Sequence, residues 1–258
     1  MRKLLEKLKK KTKTLLSIDR RWAYRFLKKR ATHRIDFYWS RISGRKYWDA
    51  DIDGINLKFA FFTPYHHRIA HIFHDGGFER EALSSWKDKA KNSSVIYDIG
   101  GYNGIYGLVA AKVNPKARVV IFEPDATSVR HIRANIKLNN CANCELREVA
   151  VSDSNGTARF TQNGGSGERF AEWGQEVCVE TLDSLPPANL LKIDVEGAEA
   201  KVIAGGLASF AKTKPAILIE IHPWLDKKEE DDMWKSLKRL GYTWRGVDND
   251  SNPHYLIS

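Results

Sequence analysis

The sequence predicts an α/β protein with a Rossmann-like, mostly parallel sheet and helices on both faces of that sheet. Three observations point to this fold. A short apolar strand runs into a glycine-rich loop and then into a helix over residues 94–112. A second apolar strand, residues 119–122, ends on Glu123. Strands and helical stretches then alternate towards the C-terminus, as crossover helices between parallel strands require.

The chain of 258 residues is long enough for one such domain with an appendage. Its predicted parts are a basic helical extension (residues 1–34), a small cap (35–93) and a nucleotide-binding-type domain (94–258). The three cysteines are an odd number and fit a reducing compartment. No apolar run approaches the length of a membrane span, and no signal peptide is expected. We therefore expect a cytoplasmic protein.

The N-terminal extension carries the positive charge of the chain. Residues 1–34 hold 14 Lys and Arg residues against two acids, whereas the whole chain has a net charge of +10. A helical apolar stripe runs through the same residues: Leu4, Leu8, Leu15, Ile18, Trp22 and Phe26. A basic amphipathic helix of this kind can make a peripheral contact with an anionic membrane. It can also pack on the protein body, or act as a less favoured nucleic-acid-binding arm.

The cap contains a hairpin signal and three histidines. Asp53 and Gly54 separate two stretches rich in strand-forming residues, which predicts a β-hairpin. His67, His71 and His74 follow at helical spacing and could place three imidazoles on one face. Because no Cys or acid stands nearby to complete the set, we expect no metal there.

The glycine-rich loop indicates the type of ligand. Its glycines stand at positions 100, 101 and 104, which does not meet the dinucleotide pattern G-x-G-x-x-G. Gly100 and Gly104 permit sharp turns and close approach of a ligand. Glu123 follows Gly104 at the spacing that suits a ribose hydroxyl pair, and Asp98 suits a cationic group better than a pyrophosphate. S-adenosylmethionine has a ribose, an ammonium and a sulfonium but no phosphate, so it is the predicted cofactor.

Four blocks of sequence resemble the FkbM family of methyltransferases. They are Asp98-Ile-Gly-Gly-Tyr-Asn-Gly, Phe122-Glu-Pro-Asp125, Thr181-Leu-Asp183 and Leu191-Lys-Ile-Asp-Val-Glu-Gly-Ala-Glu199. The last block is the most specific, and the resemblance covers about residues 70–225. It implies a class I methyltransferase sheet and an S-adenosylmethionine-dependent O-methyltransferase that acts on a hydroxyl of a sugar, a glycolipid or a related metabolite.

The same resemblance implies two contacts to the methionine end of the cofactor. Glu79 is one candidate, and its alternative role is that of an acid at the start of the next helix. The family usually has Asn two residues before the final glycine of the loop. Here Tyr102 stands at that position and Asn103 follows, so Asn103 is the second candidate.

A third strand is predicted over residues 145–151. The adenine of a nucleotide lies beside the end of this strand, which makes Ala150 and Ser152 candidate cofactor contacts. Asp153 could bind the adenine amine, but the residues around it also form a plain turn pattern. Residues 157–182 predict two strands joined by a glycine-rich loop that could cover the ligand crevice as a substrate lid.

Acidic residues surround the end of the next strand. Asp194, Glu196 and Glu199 lie at the start of a helix predicted over residues 197–204, and three carboxylates are more than capping requires. Asp194 lies at the strand end, where a reacting hydroxyl has to be held. Glu196 and Glu199 are candidate substrate contacts.

Glu220 and His222 close a strand predicted over residues 216–223, and their spacing places them on the same face. A sugar hydroxyl is a poor nucleophile and needs a base to take its proton. His222 or Asp194 is the candidate base, and Glu220 an orienting or anchoring residue. Two alternatives stay open: Glu220 and His222 simply pair, or Asp194 and Glu196 bind a divalent metal. We expect no metal.

Two functions of other classes fit the same sequence. A nucleic-acid (RNA) methyltransferase could use the basic extension as its arm. A binding module that has lost its catalytic function would keep the cofactor site alone.

Overall fold

The computed structural model describes residues 47–60, 79–161, 169–170, 174–247 and 252–258. The extension (1–34), most of the cap including His67, His71 and His74, and the glycine-rich tip of the predicted lid lie outside the described residues. The predictions made for those segments therefore stay predictions. No helix among the described residues is long and apolar enough to cross a membrane.

A seven-stranded sheet forms the centre of the described domain. Its strands are β3 (Val95–Ile99), β4 (Arg118–Phe122), β5 (Cys144–Arg147), β10 (Leu190–Ile193), β11 (Ala216–Glu220), β12 (Trp244–Gly246) and β13 (His254–Ile257). Their order across the sheet is β12-β13-β11-β10-β3-β4-β5. Strands β5, β4, β3, β10 and β11 are parallel, and β13 pairs antiparallel with both β11 and β12. The predicted Rossmann-like methyltransferase sheet is thereby confirmed.

The chain changes direction across the sheet between β3 and β10. From β3 it moves outward to β4 and β5, and it then returns to add β10 on the opposite side of β3. A crevice opens at the carboxyl ends of two parallel strands whose connections diverge in this way. The loops after β3 and β10 therefore meet at the edge of the sheet where a ligand is expected.

Helices cover both faces because successive strand residues point to opposite sides. One apolar core contains α1 (Arg80–Ala90), α2 (Ile105–Val113), Ile132 of α3 (Ala126–Leu138) and the even-numbered strand residues Ile96 and Leu190. The other core contains residues of α4 (Glu199–Ala204), α5 (Leu207–Thr213) and α6 (Lys227–Arg239), together with Tyr97 and Leu191. Both faces of the sheet are thus buried.

The predicted hairpin is confirmed as β1 (Tyr47–Ile52) and β2 (Ile55–Ala60). Strand β2 is held by α3, because the amides of Lys58 and Ala60 donate to the side chains of Asn139 and Asn135 at 2.8 Å. This contact anchors the hairpin on the first helical face.

The strand predicted over residues 145–151 is wrong in its extent. It splits into β5 in the main sheet and β6 (Ala150–Val151), which joins β7 (Gly156–Thr161), β8 (Arg169–Phe170) and β9 (Gln175–Glu180) in a second sheet. Ala150 pairs with Val179 and Val151 with Glu180. Strand-forming residues run through both pieces, so the pattern carried no sign that the partner strand changes after Arg147.

Two further boundaries differ from the prediction. Helix α4 begins at Glu199 rather than at residue 197, because Glu196 and Gly197 both have positive φ angles, 53° and 102°. Strand β11 ends at Glu220, so His222 lies beyond the pleat that was expected to align it with Glu220. A short 3₁₀ turn, Leu182–Ser184, precedes β10.

Candidate active site

The loop after β3 touches the loop after β10 through a glycine. Gly100 has a φ of +82°, and a Cβ at this position would lie 1.7 Å from the carbonyl oxygen of Asp194. No other residue fits that approach without moving the backbone. Gly100 therefore places the glycine-rich loop directly against the residue predicted to hold the reacting hydroxyl.

Two side chains of this loop satisfy the amides at the start of α2. Oδ2 of Asp98 accepts the amide of Gly107 at 2.7 Å, and Oδ1 of Asn103 accepts the amide of Ile105 at 3.0 Å. Gly104, with a φ of +81°, stands directly before the helix. In a phosphate-binding loop, the amides at the start of the helix donate to the phosphate. Here two of these amides donate to Asp98 and Asn103 instead, which agrees with a ligand that carries no phosphate.

The Asp98 side chain is buried, and its pKa is affected accordingly. Burial raises the pKa of Asp98 to about 6, while the bond from Gly107 and the charge of Lys192 oppose that rise. The contact of Asp98 with a cofactor stays a prediction. Its structural role is to accept the Gly107 amide at the start of α2.

Glu123 lies at the end of β4 and holds the tip of the glycine-rich loop. Its Oε2 accepts the amide of Tyr102 at 2.8 Å, and its Oε1 accepts the amide of Asp125 at 2.9 Å. Glu123 therefore stabilises the glycine-rich loop from the end of the neighbouring strand. Its contact with the ribose of a cofactor stays a prediction.

Carboxylates surround the imidazole of His222 on both of its nitrogens. Oε1 of Glu199 lies 2.7 Å from Nδ1. The other nitrogen, Nε2, lies 3.4 Å from Glu196, 3.6 Å from Glu220 and 3.8 Å from Asp194. Burial would lower the pKa of His222, but the Glu199 bond and the neighbouring carboxylates raise it to about 9. His222 is therefore protonated at neutral pH in this state.

The carboxyl groups of this cluster titrate differently from one another. Burial is the first cause that raises the pKa of Glu196 to about 8, and it also raises that of Asp194, to which Glu220 adds. Burial acts in the same direction on Glu220, but the hydrogen bond with His254 and the charge of Lys192 hold its pKa below the usual range. Glu220 therefore stays ionised at pH values where Glu196 is still partly protonated.

Solvent reaches these side chains to different extents. Asp194 has 30% of its side chain exposed, whereas that of Glu199 is fully buried. Oε1 of Glu199 also accepts the amide of Gly197 at 2.9 Å. This placement favours Asp194 as the group that meets a substrate. It favours Glu199 as the residue that orients His222, rather than as the substrate contact expected from the sequence.

Lys192 is a site residue that the sequence analysis passed over. It lies in the middle of β10 with 1% of its side chain exposed. Its Nζ is 3.4 Å from Asp194, 3.9 Å from Glu220 and 4.8 Å from the centre of the Tyr106 ring. Burial lowers the pKa of Lys192, but Asp194 and Glu220 raise it above the usual value. The signal was present as a single charged residue between Leu191 and Ile193 of a buried strand.

A second group of polar side chains lies beside Lys192. The Tyr106 hydroxyl donates to Oε2 of Glu79 at 2.7 Å, and Nε2 of His254 lies 3.4 Å from Glu220 and 3.9 Å from Glu79. Glu79 makes no side-chain hydrogen bond that caps α1. Its burial raises its pKa to about 7. Glu79 therefore lies among the polar side chains around Lys192. Tyr106 and His254 lie there too, and the sequence patterns did not predict this for either residue.

Two sets of donors among the described residues have the spacing of a metal site. They are Glu79, Glu220 and His254, and Asp194, Glu220 and His222, each set with its ligand atoms within 4.8 Å of one another. Lys192 already places a positive charge beside both carboxylates of the second set. That charge supplies the compensation a cation would otherwise provide.

The residues predicted to contact adenine lie in the second sheet. Ala150 packs with Val177 and Val179, and the Ser152 amide donates to the carbonyl of Glu180 at 2.9 Å. The Ser152 hydroxyl contacts Asp153. The roles of Ala150 and Ser152 at the adenine stay predictions.

A family model described as the methyltransferase FkbM domain matches residues 98–243. The match covers more than half of the chain. It contains the glycine-rich loop, Glu123, Lys192 and the carboxylates around His222.

Two curated proteins show sequence similarity to this chain. The 2-O-methyltransferase NoeI of Sinorhizobium fredii is 28% identical, over 48% of this chain and 62% of NoeI. The hexuronic acid methyltransferase AglP of Haloferax volcanii is 23% identical, over 58% of this chain and 65% of AglP. This chain therefore spans less than two thirds of either relative. The structure is similar to the crystal structure of methyltransferase FkbM from Methylobacillus flagellatus. The matched residues cover 76% of this chain and 55% of the crystallised chain, with 13% sequence identity and a TM-score of 0.46.

Proposed function

Since this chain belongs to the FkbM family of methyltransferases, we propose that it transfers a methyl group from S-adenosylmethionine to a hydroxyl of a sugar, free or in a glycolipid. One observation carries the proposal. A buried cluster of carboxylates stands at the carboxyl ends of β10 and β11, in backbone contact with a glycine-rich loop whose helix amides are already satisfied.

The charge balance of the site fits the cofactor. Three basic groups, Lys192, His222 and His254, are accompanied by six carboxylates: Glu79, Asp98, Asp194, Glu196, Glu199 and Glu220. Buried negative charge without full compensation is costly and favours a cationic ligand. S-adenosylmethionine supplies, when bound, an electrophilic methyl group on a positively charged sulfur. The sulfonium and the ammonium of this cofactor both suit a site with excess carboxylate.

The cofactor contacts are assigned to the first half of the domain. Glu123 would bind the ribose hydroxyls, and Gly100 and Gly104 would allow the backbone of the loop to approach the cofactor. Asp98, Asn103 and Glu79 would hold the methionine end of the cofactor. Ala150 and Ser152 would hold the adenine.

The acceptor hydroxyl is assigned to Asp194. Of Asp194, Glu220 and His222, Asp194 has the most exposed side chain. Its raised pKa brings it towards the operating pH, which suits a base. Asp194 would take the hydroxyl proton as the acceptor oxygen bonds to the methyl carbon and the bond from that carbon to the cofactor's sulfur breaks, which leaves S-adenosylhomocysteine. Nε2 of protonated His222 lies 3.8 Å from the Asp194 carboxylate and stabilises its charge. Glu220 and Lys192 fix Asp194 from the buried side.

The substrate class is supported by the relatives. NoeI is named as a 2-O-methyltransferase and AglP as a hexuronic acid methyltransferase. A sugar hydroxyl has a high pKa and needs a positioned base, which this cluster offers. The name of AglP does not say which group of the hexuronic acid is methylated, so the choice of a sugar hydroxyl rests on the base that this cluster offers, which a carboxylate or a phenol would need less.

The test is incubation of the purified chain with methyl-labelled S-adenosylmethionine and a panel of methyl hexopyranosides, methyl hexuronides and extracted glycolipids. We expect label in a glycoside or glycolipid, linked through oxygen, with S-adenosylhomocysteine as co-product. Asp88→Asn, an amide change at an exposed carboxylate, is the control for Asp194→Asn. Cofactor binding with no labelled acceptor, or label in RNA alone, would contradict the proposal.

A further inference from the structure

Trp224 lies at the edge of the carboxylate cluster, just beyond the end of β11. Its indole ring stacks at a tilt of 33° on the imidazole of His222, with the ring centres 4.9 Å apart. Its Nε1 donates to the carbonyl oxygen of Glu196 at 2.9 Å. The indole is therefore fixed beside the groups assigned to the acceptor hydroxyl.

The indole is also exposed to solvent. Trp224 has a relative exposure of 44%, and among the described residues only Trp244, at 36%, is another large apolar side chain classed as exposed. Tryptophan is buried on average, because its large apolar surface is costly to leave in water. A Trp side chain held in one place with much of its surface exposed is characteristic of a recognition site.

The neighbouring backbone is shaped around this ring. Gly197 has a φ of +102°, and a Cβ there would lie 2.7 Å from Cδ1 of Trp224. Glu196, the preceding residue, has a φ of 53°, which is uncommon for a residue with a side chain. Strained backbone of this kind persists at functional sites when the surroundings enforce it. Here the bond from Trp224 to Glu196 couples the indole to the turn that carries two of the site carboxylates.

We propose that the exposed indole of Trp224 is the platform on which the ring of the acceptor sugar lies, with Asp194 and Glu196 accepting its hydroxyls. A pyranose has an apolar face of C–H groups and a rim of hydroxyl donors. The indole can pack against the C–H face, and the partly exposed carboxylates of Asp194 and Glu196 can accept hydrogen bonds from the hydroxyls. This assignment rests on the proposed function.

The same surface disfavours nucleic acid as the stacked ligand. Bases also stack on tryptophan, but nucleic-acid-binding sites combine the aromatic ring with positive charge for the phosphates. Among the residues that the structure describes, Trp224 donates to Glu196, and the side chains next to Glu196 include the carboxylates Asp194 and Glu220, with His222 compensated by Glu199. A pyranose carries no phosphate and does not need the positive charge that a nucleic acid would require.

Two variants separate the ring of Trp224 from its hydrogen bond. Trp224→Phe keeps an aromatic face and loses the N–H donor, whereas Trp224→Ala loses both. The control is Trp244→Ala, because Trp244 is also exposed but lies at the other end of the sheet. Trp244 pairs with Ile257, which in turn pairs with Ile217 near the amino end of β11. The probe is whichever methyl hexopyranoside or methyl hexuronide of the panel the wild-type enzyme methylates.

We expect Trp224→Ala to raise KM for that glycoside by about 10-fold or more, in line with the loss of a stacking partner. Trp224→Phe should raise it by roughly 3-fold, and Trp244→Ala should leave it unchanged. The affinity for S-adenosylmethionine, measured by calorimetry, should change by less than about 2-fold in all three. Binding of the same glycoside to the enzyme loaded with S-adenosylhomocysteine should shift the tryptophan emission to shorter wavelength in the wild type, because water is excluded from the indole, and not in Trp224→Ala.

An unchanged KM in Trp224→Ala would overturn the platform while leaving the proposed function intact. Equal losses in Trp224→Phe and Trp224→Ala would also overturn it, because the hydrogen bond to Glu196 would then carry the effect. A wild-type enzyme that binds S-adenosylmethionine but methylates no glycoside would instead refute the proposed function, and the platform with it.

Discussion

Oε1 of Glu199 lies 2.7 Å from Nδ1 of His222, and both side chains are buried. This bond fixes the imidazole so that its other nitrogen faces Asp194, Glu196 and Glu220. A carboxylate behind a histidine stabilises the protonated ring and sets its orientation. Glu199 therefore keeps a positive charge on His222, next to the carboxylates of Asp194, Glu196 and Glu220.

Glu199→Gln should lower the pKa of His222 from about 9 towards its usual value, because the amide cannot stabilise the imidazolium as a carboxylate does. The measurement is an NMR titration of the His222 ring. Glu148→Gln, an amide change at an exposed ion pair with Arg133, is the control and should leave that pKa unchanged. A His222 pKa that is the same in both variants would mean that Glu199 does not set it.

Asp194→Asn should lower kcat by about 10²-fold or more, since the amide cannot take the hydroxyl proton. Its affinity for S-adenosylmethionine should fall far less, which calorimetry can test. His222→Gln offers the comparison. If His222 were the base, its loss would cost as much turnover as that of Asp194, and the assignment of Asp194 would then be wrong.

Glu123→Gln should weaken S-adenosylmethionine binding by about 1–3 kcal/mol, because a carboxylate that accepts ribose hydroxyls is replaced by a weaker acceptor. The same change disturbs the bond to the Tyr102 amide, so loop rigidity contributes to the loss. Glu145→Gln, at an exposed carboxylate paired with Arg118, is the matched control. Equal calorimetric affinities for the two variants would argue against the ribose contact.

Cofactor binding near pH 7 should release protons. The pKa values of Asp98, Glu79 and Glu196 are raised to about 6, 7 and 8, so these groups are partly protonated at neutral pH. A bound cation favours their charged forms and lowers these pKa values, which expels protons. Affinity should accordingly increase as pH rises from about 6 to 8.

The measurement is calorimetry in buffers of different ionisation enthalpy. S-adenosylhomocysteine, whose sulfur is uncharged, is the control and should release fewer protons. Proton uptake on binding S-adenosylmethionine would contradict the assigned charge balance.

Chelator treatment should leave activity intact. Lys192 lies between Asp194 and Glu220 and supplies the positive charge that a divalent ion would otherwise bring. The assay compares turnover after dialysis against EDTA with turnover after added magnesium. Inactivation that magnesium reverses would contradict this prediction and would support a divalent metal at Asp194, Glu220 and His222.

Local patterns predicted much of the sheet. The strand expected at residues 119–122 is β4, Arg118–Phe122, and the turn expected at Asp53 and Gly54 joins β1 to β2. Asp98 and Glu123 were recognised because a strand end followed by glycine has a defined spacing to the next strand end. The partner change after Arg147 was missed, since β5 and β6 have the same residue preferences and differ only in the strand each pairs with.

The sequence by itself determined the order of strands and helices, the glycine-rich loop and the acids at the strand ends, because each depends on residues close together in the chain. Only the tertiary structure decided what those acids do. Glu199 contacts His222, and Glu79 contacts Tyr106. Lys192 comes close to Glu220 because β10 pairs with β11. Charge and pKa at a buried site depend on such contacts between residues distant in sequence, and local periodicity carries no record of them.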